Sequence, residues 1–108
     1  MKLDRNVAGN KGRGKYALLL LRKLPDNRVD IAKAIELLES EGIIDWGDRQ
    51  TPGEFFVIRL RDRFAGAALN AYAFNAISHG GEFAEFGEEV RELADRAGIG
   101  SPFEKLPD

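Results

Sequence analysis

The chain has 108 residues, which is enough for one hydrophobic core and too little for two. Hydrophobic residues make up 44% of it and charged residues 31%, and this balance excludes a chain that is disordered throughout. The sequence has no cysteine, which excludes disulfide bonds, thiolate metal sites and a cysteine nucleophile.

The net charge of −2 is distributed unevenly along the chain. Residues 1–24 hold seven basic side chains and one acidic one, whereas the rest holds nine basic and seventeen acidic ones. Either the two regions attract one another within the monomer, or the basic region binds a polyanion or an acidic partner. No apolar leader precedes the glycine-rich start, and the longest apolar run is only six residues, so we expect a cytoplasmic protein without a membrane span.

Residues 1–14 are basic and rich in glycine, and we expect them to form an arm. We expect a single domain over residues 15–100 and an irregular tail over residues 101–108. An apolar run bounded by Gly14 and Pro25 follows the arm. Its length and flanking residues favour a buried strand, but its four consecutive leucines are also good helix formers. The sequence leaves open whether residues 16–24 form a strand or a helix.

A first helix is predicted after Pro25, with Asp26 and Asn27 as capping residues. Three apolar residues recur at helical spacing within it: Ile31, Ile35 and Leu38. Gly42 and the hydrophobic residue that follows it predict a left-handed helix end.

Two β-prone runs, Ile43–Trp46 and Glu54–Leu60, flank a turn-rich loop and predict a hairpin. A second helix is expected from about Arg63 to Ser78, capped by Asp62, with alanines that permit close approach of another element. A third helix is expected from about Glu82 to Ala97. One apolar stripe is predicted on it: Phe83, Phe86, Val90, Leu93 and Ala97.

The predicted order is therefore β-α-β-β-α-α. It describes an α+β domain in which a two- or three-stranded, antiparallel sheet is packed by three helices. Small sheets are marginally stable alone and have exposed edges, so this fold predicts a homodimer.

The glycine-rich segment before the first apolar run is the main candidate binding site. Glycines let successive backbone N–H groups turn towards one anion, and the neighbouring cations add charge. The segment lacks the Lys-Ser/Thr pair and the preceding strand of a P-loop, so a flexible arm is the competing interpretation. The candidate residues are Lys11, Gly12, Arg13, Gly14 and Lys15.

Two further candidates are an arginine alternation and the single tryptophan. Arg59, Arg61 and Arg63 would share one face of an extended chain and could meet phosphates, or they could simply be solvated. Trp46 could anchor a partner or pack into the core. The sequence contains no cluster with metal-ligand spacing, no nucleophile elbow and no cofactor motif, so we expect no enzyme, no metal and no cofactor.

A local resemblance runs from Ile35 to Leu60, through an amphipathic helix, Glu-Gly-Ile-Ile, a polar loop and Phe-Val-Ile-Arg-Leu. This order resembles the wing region of winged-helix regulators, in which the helix before the hairpin reads the major groove and the wing touches phosphates. The chain lacks the earlier helix pair of that family. The helix in the recognition position is also acidic, with Glu36, Glu39 and Glu41. Both departures argue against DNA reading by that helix.

The stretches KGRGKYALLLLRKL, EFFVIRLRDRFAGAALNAYA and SPFEKLPD resemble small proteins encoded by tailed phages and prophages. The resemblance implies a setting, because small phage proteins often bind a host or defence component. Our leading hypothesis is a non-enzymatic binding protein, a phage-encoded modulator or inhibitor of a host protein. The alternatives are nucleic-acid binding through the basic arm and capture of a small anionic, nucleotide-like ligand.

Overall fold

A computed structural model describes residues 14–97 and Leu106. The described residues contain a 3-10 turn at Leu21–Lys23 and three α-helices: α1 (Val29–Ser40), α2 (Ala65–His79) and α3 (Glu82–Asp95). The chain divides into two units. The α1 unit is Leu18–Phe56, and the hairpin unit is Val57–Asp108 together with Met1–Ala17.

The α+β prediction is wrong, because residues 14–97 form helices and no sheet. All three predicted strands are absent. The sheet-edge reason for expecting a homodimer disappears with them. The three predicted helices are all present.

The leucine run before Pro25 is irregular until it enters the 3-10 turn. The backbone N–H of Lys23 donates to the carbonyl of Leu20 at 3.0 Å, and that of Leu24 donates to Leu21 at 3.1 Å. These local bonds use backbone groups that a strand would offer to a neighbour. Leucine is also not β-branched, so nothing in the run favours the extended form strongly.

The predicted hairpin is replaced by a loop that satisfies its own polar groups. The Asp45 carboxylate accepts the N–H of Gly47 at 2.9 Å, and both the N–H and the hydroxyl of Thr51 donate to the Asp48 carbonyl. Glu54 accepts the N–H of Gln50 through its side chain. An isolated two-stranded hairpin is marginal in water, and these turns supply the hydrogen bonds that it would have made.

Helix α1 ends as predicted but begins differently. The N–H of Ile43 donates to the carbonyl of Leu38 at 2.9 Å, and Gly42, with φ of 70°, donates to Glu39, which completes a Schellman motif. The expected capping by Asp26 and Asn27 is wrong, since Arg28 is the N-cap and no side chain caps the helix. Arg28 instead pairs with Asp30, at 2.9 Å and 2.7 Å.

Helices α2 and α3 form an antiparallel hairpin whose bounds differ from the predicted ones by two residues or fewer. The expected capping of α2 by Asp62 is wrong, since Phe64 is the N-cap and no side chain caps the helix. The Asp62 carboxylate instead accepts the N–H of Phe64 at 2.7 Å, in the turn before the helix. The helices are joined by Gly80 and Gly81, both with positive φ. A two-residue connection of this kind forces neighbouring helices to run antiparallel.

The two helices touch at backbone distance, as the alanine-rich composition of α2 indicated. A Cβ placed on Gly87 of α3 would lie 2.9 Å from both the Ala73 carbonyl oxygen and the Ile77 nitrogen of α2. At the other end, a Cβ on Gly66 of α2 would lie 3.3 Å from the Ala97 carbonyl oxygen. The predicted stripe of α3 lies in this contact, with its members buried or half-buried.

The hydrophobic core of the described residues is made of small side chains. The buried apolar residues are Ala65, Ala73, Val90, Ala94 and Ala97. Every one of them belongs to the hairpin unit, and no residue of the α1 unit is buried.

Candidate interaction surfaces

The outer side of α2 carries an apolar stripe that α3 leaves uncovered. Its members follow one another at alternating spacings of three and four residues, so they share one helix face. We call this set the α2 face: Phe64, Ala67, Ala71 and Phe74. Its two aromatic side chains are 60% exposed at Phe64 and 70% exposed at Phe74.

Charge distinguishes α2 sharply from α3. Between Phe64 and Ser78 the sequence has no acidic or basic side chain. Helix α3 has six acidic side chains and one basic side chain, Arg91, which pairs with Glu88. The α2 face is therefore both apolar and uncharged, which is unusual for a helix surface that meets water.

A groove of about 470 Å³ lies where the start of α2 passes the end of α3. Five of its eight lining residues are glycine, alanine or phenylalanine. The full set is Arg63, Phe64, Gly66, Ala67, Asn70, Ala94, Asp95 and Ala97. Two of these residues, Phe64 and Ala67, also belong to the α2 face, so the groove borders that face.

The α1 unit exposes twelve large apolar side chains. They include five leucines of the run before Pro25 and the side chains of Trp46, Phe55 and Phe56. On α1 itself, Val29 and Leu37 lie two turns apart on the side opposite the half-buried Ile31 and Ile35. We call Val29, Lys33 and Leu37 the outer α1 face.

Trp46 is tied to α1 rather than buried. Its indole N–H donates to a carboxylate oxygen of Glu39 at 2.7 Å, and its ring remains partly exposed. Phe55 closes the adjoining loop, because a Cβ on Gly47 would overlap its ring. Trp46 was expected either to pack into the core or to anchor a partner protein. Its side chain is not buried, and its indole N–H is already bonded to Glu39. The indole joins the loop to the helix and still presents ring surface.

The predicted anion site is described only in part. Lys11, Gly12 and Arg13 lie outside the described residues. Gly14 is half-buried, and Lys15 is exposed but interacts with another group.

The arginine alternation does not form a common face. The N–H of Asp62 donates to the carbonyl of Arg59 at 2.9 Å, so the chain turns where an extended strand was expected. Arg59 and Arg63 are exposed and Arg61 is half-buried. Arg61 and Arg63 both interact with other groups.

Residues 14–97 contain no group of three or more histidine, aspartate or glutamate side chains placed to hold a metal ion. No helix in this part of the chain is both long enough and apolar enough to span a membrane.

Sequence reasoning missed the α2 face. It assigned no surface role to the bulky side chains of α2, whereas Phe64, Tyr72 and Phe74 are all exposed. The available signal was the spacing of Phe64, Ala67, Ala71 and Phe74, which forms a second apolar stripe beside the inward one of Ala65, Leu69 and Ala73.

No protein-family model, no curated protein and no solved structure matches the chain. Its function is therefore inferred from the geometry and chemistry of the described residues.

Proposed function

We propose that the chain is a non-enzymatic protein-binding module that contacts a partner protein through the α1 unit. The observation that carries the proposal is that this unit exposes twelve large apolar side chains and buries none of its residues. Exposed apolar area of this extent is a mark of interaction sites.

The outer α1 face is the part of the unit with the clearest geometry. Val29 is 65% exposed and Leu37 is 60% exposed, and both project from a regular helix that ends in a well-formed Schellman motif. A rigid helix loses little conformational freedom when its side chains enter a partner groove, so anchors on it bind efficiently. Lys33 between them and Glu36 beside them give the face a polar border.

The resemblance to small proteins of tailed phages and prophages supports a bacterial host protein, such as a defence component, as the partner. In this setting the chain acts as a modulator or inhibitor by occupying a surface of that protein.

The test is affinity capture from bacterial lysate, with and without nuclease, read by quantitative mass spectrometry. The bait is the chain itself, compared with the double variant Val29→Gln, Leu37→Gln and with the control Glu41→Gln, an exposed residue outside the outer α1 face. Glutamine has a helix propensity close to those of leucine and glutamate, so the variants alter the surface with little effect on α1. We expect one protein that the parent and the control enrich equally and that the double variant loses by tenfold or more.

Two results would overturn this proposal. Capture that the double variant leaves unchanged would show that the outer α1 face is not the contact. Capture that disappears with nuclease would move the function to the basic arm and nucleic acid, which predicts a steep dependence on salt.

A further inference from the structure

We propose that the α2 face is a self-association surface, on which a second copy of this chain packs its own α2 in the antiparallel direction to form a four-helix dimer. This inference concerns the hairpin unit alone and is independent of the partner proposed for the α1 unit.

The spacing of the α2 face is symmetric along the chain. Phe64, Ala67, Ala71 and Phe74 are separated by three, four and three residues, so the set reads the same in both directions. A two-fold interface requires a patch that complements itself. When two such helices run antiparallel about a centre near Leu69, each Phe64 lies opposite Phe74 of the other copy. The two alanines, Ala67 and Ala71, face each other in the middle and allow close approach.

The distribution of charge favours dimer contact through α2 over dimer contact through α3. Contact between two α3 helices would bring together surfaces with six acidic side chains each. Contact between two α2 helices brings together surfaces with no charged side chain from Phe64 to Ser78. The antiparallel arrangement also places the positive end of each helix dipole against the negative end of the other.

The groove supplies a receptor for the exposed aromatic side chain. In the antiparallel register, Phe74 of the second copy arrives beside Phe64 and Ala67, which line the groove. The groove volume of about 470 Å³ accommodates a phenyl ring, and its lining of glycine and alanine leaves space for one. The two-fold axis repeats the same insertion on the other copy. Phe74 is therefore the expected hot spot of the interface.

The available area indicates a weak dimer. A buried aromatic side chain removes roughly 150–250 Å² from water, so Phe64 and Phe74 with the alanines between them offer roughly 400 Å² per copy. Filling the grooves brings the total to roughly 1,000 Å², at the lower end of specific interfaces. We expect association at concentrations on the order of 10–100 µM. The second copy also covers a hairpin whose own buried side chains are all small.

Sedimentation velocity over a concentration series tests the proposal on the full chain. We expect a reversible monomer–dimer equilibrium, and Phe74→Ala should raise its dissociation constant by at least tenfold. Because Phe74 is 70% exposed, the variant should keep the helix content and melting temperature of the parent when both are measured at concentrations well below the dissociation constant.

Phe56→Ala is the matched control, because Phe56 is 84% exposed and lies in the other unit. It should leave the dissociation constant within about twofold of the parent, which is less than the effect of losing one anchor. A parent that stays monomeric at millimolar concentration would overturn the proposal. So would an equal loss with Phe56→Ala, since that would indicate unspecific adhesion of apolar surface.

The register has its own test, because the chain has no cysteine to interfere. In the antiparallel dimer position 67 faces position 71 of the other copy, whereas identical positions are farther apart than a disulfide spans. An equimolar mixture of Ala67→Cys and Ala71→Cys should therefore cross-link faster, under mild oxidation, than either variant alone. Faster cross-linking of each variant with itself would indicate parallel helices and would refute the arrangement.

Discussion

The hairpin unit and the α1 unit solve the same stability problem in different ways. In the hairpin unit two helices lie so close that glycine is the residue at both contact points, Gly66 and Gly87. In the α1 unit one helix is bordered by turns and irregular chain, and every side chain is at least partly exposed. The first unit is held by close packing, and the second is held by local hydrogen bonds between neighbours in the sequence.

This difference predicts where a substitution will have the largest effect on stability. Where helices are closely packed, one added methyl group displaces both of them, because neither backbone can move without the other. Local hydrogen bonds and turns confine the effect of a change to a few residues. The same contrast predicts that the α1 unit opens more readily than the hairpin unit, since few buried contacts oppose its opening.

The largest effect is expected from Gly87→Ala. The new Cβ would lie 2.9 Å from the Ala73 carbonyl oxygen and 2.7 Å from the Ile77 side chain, so the helices must separate. Overpacking of this kind costs about 2 kcal/mol, even though alanine is the better helix former. A thermal melt followed by circular dichroism should show the loss as a lower melting temperature.

Gly66→Ala is the control for the same hairpin. Its Cβ would lie 3.3 Å from the Ala97 carbonyl oxygen and 3.8 Å from that of Ala94. Replacing glycine at the second residue of α2 stabilises by at most about 0.5–1 kcal/mol. The two contributions should nearly cancel. Equal melting temperatures for the Gly66 and Gly87 variants would contradict the close approach of α3 to α2 at Gly87.

A smaller and local effect is expected from Gly47→Ala in the α1 unit. Gly47 has φ of 58°, and its Cβ would overlap the Phe55 ring. Gly42→Ala shares the positive φ but meets nothing within 4 Å, so it isolates the backbone cost of roughly 1 kcal/mol.

The fluorescence of Trp46, the only tryptophan, measures both variants. We expect Gly47→Ala to shift the emission and to lower the denaturation midpoint more than Gly42→Ala does. Identical midpoints would show that the ring of Phe55 adds nothing to the loop, and would weaken the distinction drawn between turns and packing.

The smallest effect is expected at the start of α1. The hydrogen bonds from Arg28 lower the pKa of the Asp30 carboxyl below its ordinary value, although both side chains are exposed. Because the folded state holds this proton less tightly, the pair stabilises α1 above the ordinary pKa of aspartate. That stabilisation is lost as pH falls through the lowered value.

A carboxyl NMR titration should show the low pKa of Asp30 and its return to the ordinary value in Arg28→Gln. No change on that substitution would mean that the pair does not persist in solution. Screening by water keeps the contribution to stability small.

The sequence predicted the helices well because helix signals are local. The stop at Gly42 and the apolar stripe of α3 each depend on residues within a few positions of one another. These signals survive in the structure at nearly the expected bounds.

The strands failed because a strand exists only with a partner. The runs at 16–24, 43–46 and 54–60 have β-prone or apolar composition, but composition does not state that two of them will pair. The candidate surfaces were missed for a related reason. Whether Phe74 or Leu37 is exposed depends on which stripe of its helix packs against the rest of the protein. On alanine-rich α2, two stripes of similar hydrophobicity could take that position.

The glycine pair between α2 and α3 has a consequence for how quickly the hairpin unit forms. The contact between Gly87 and Ala73 joins residues that are close along the chain, near the turn. The contact between Gly66 and Ala97 lies at the opposite end of the hairpin, far from the turn. Low contact order of this kind is typical of helical proteins that fold in microseconds to milliseconds, because little loop-closure entropy is lost. We expect the contacts between α2 and α3 to form first next to Gly80–Gly81 and then progressively farther from the turn, so that the contact at Gly66 forms last.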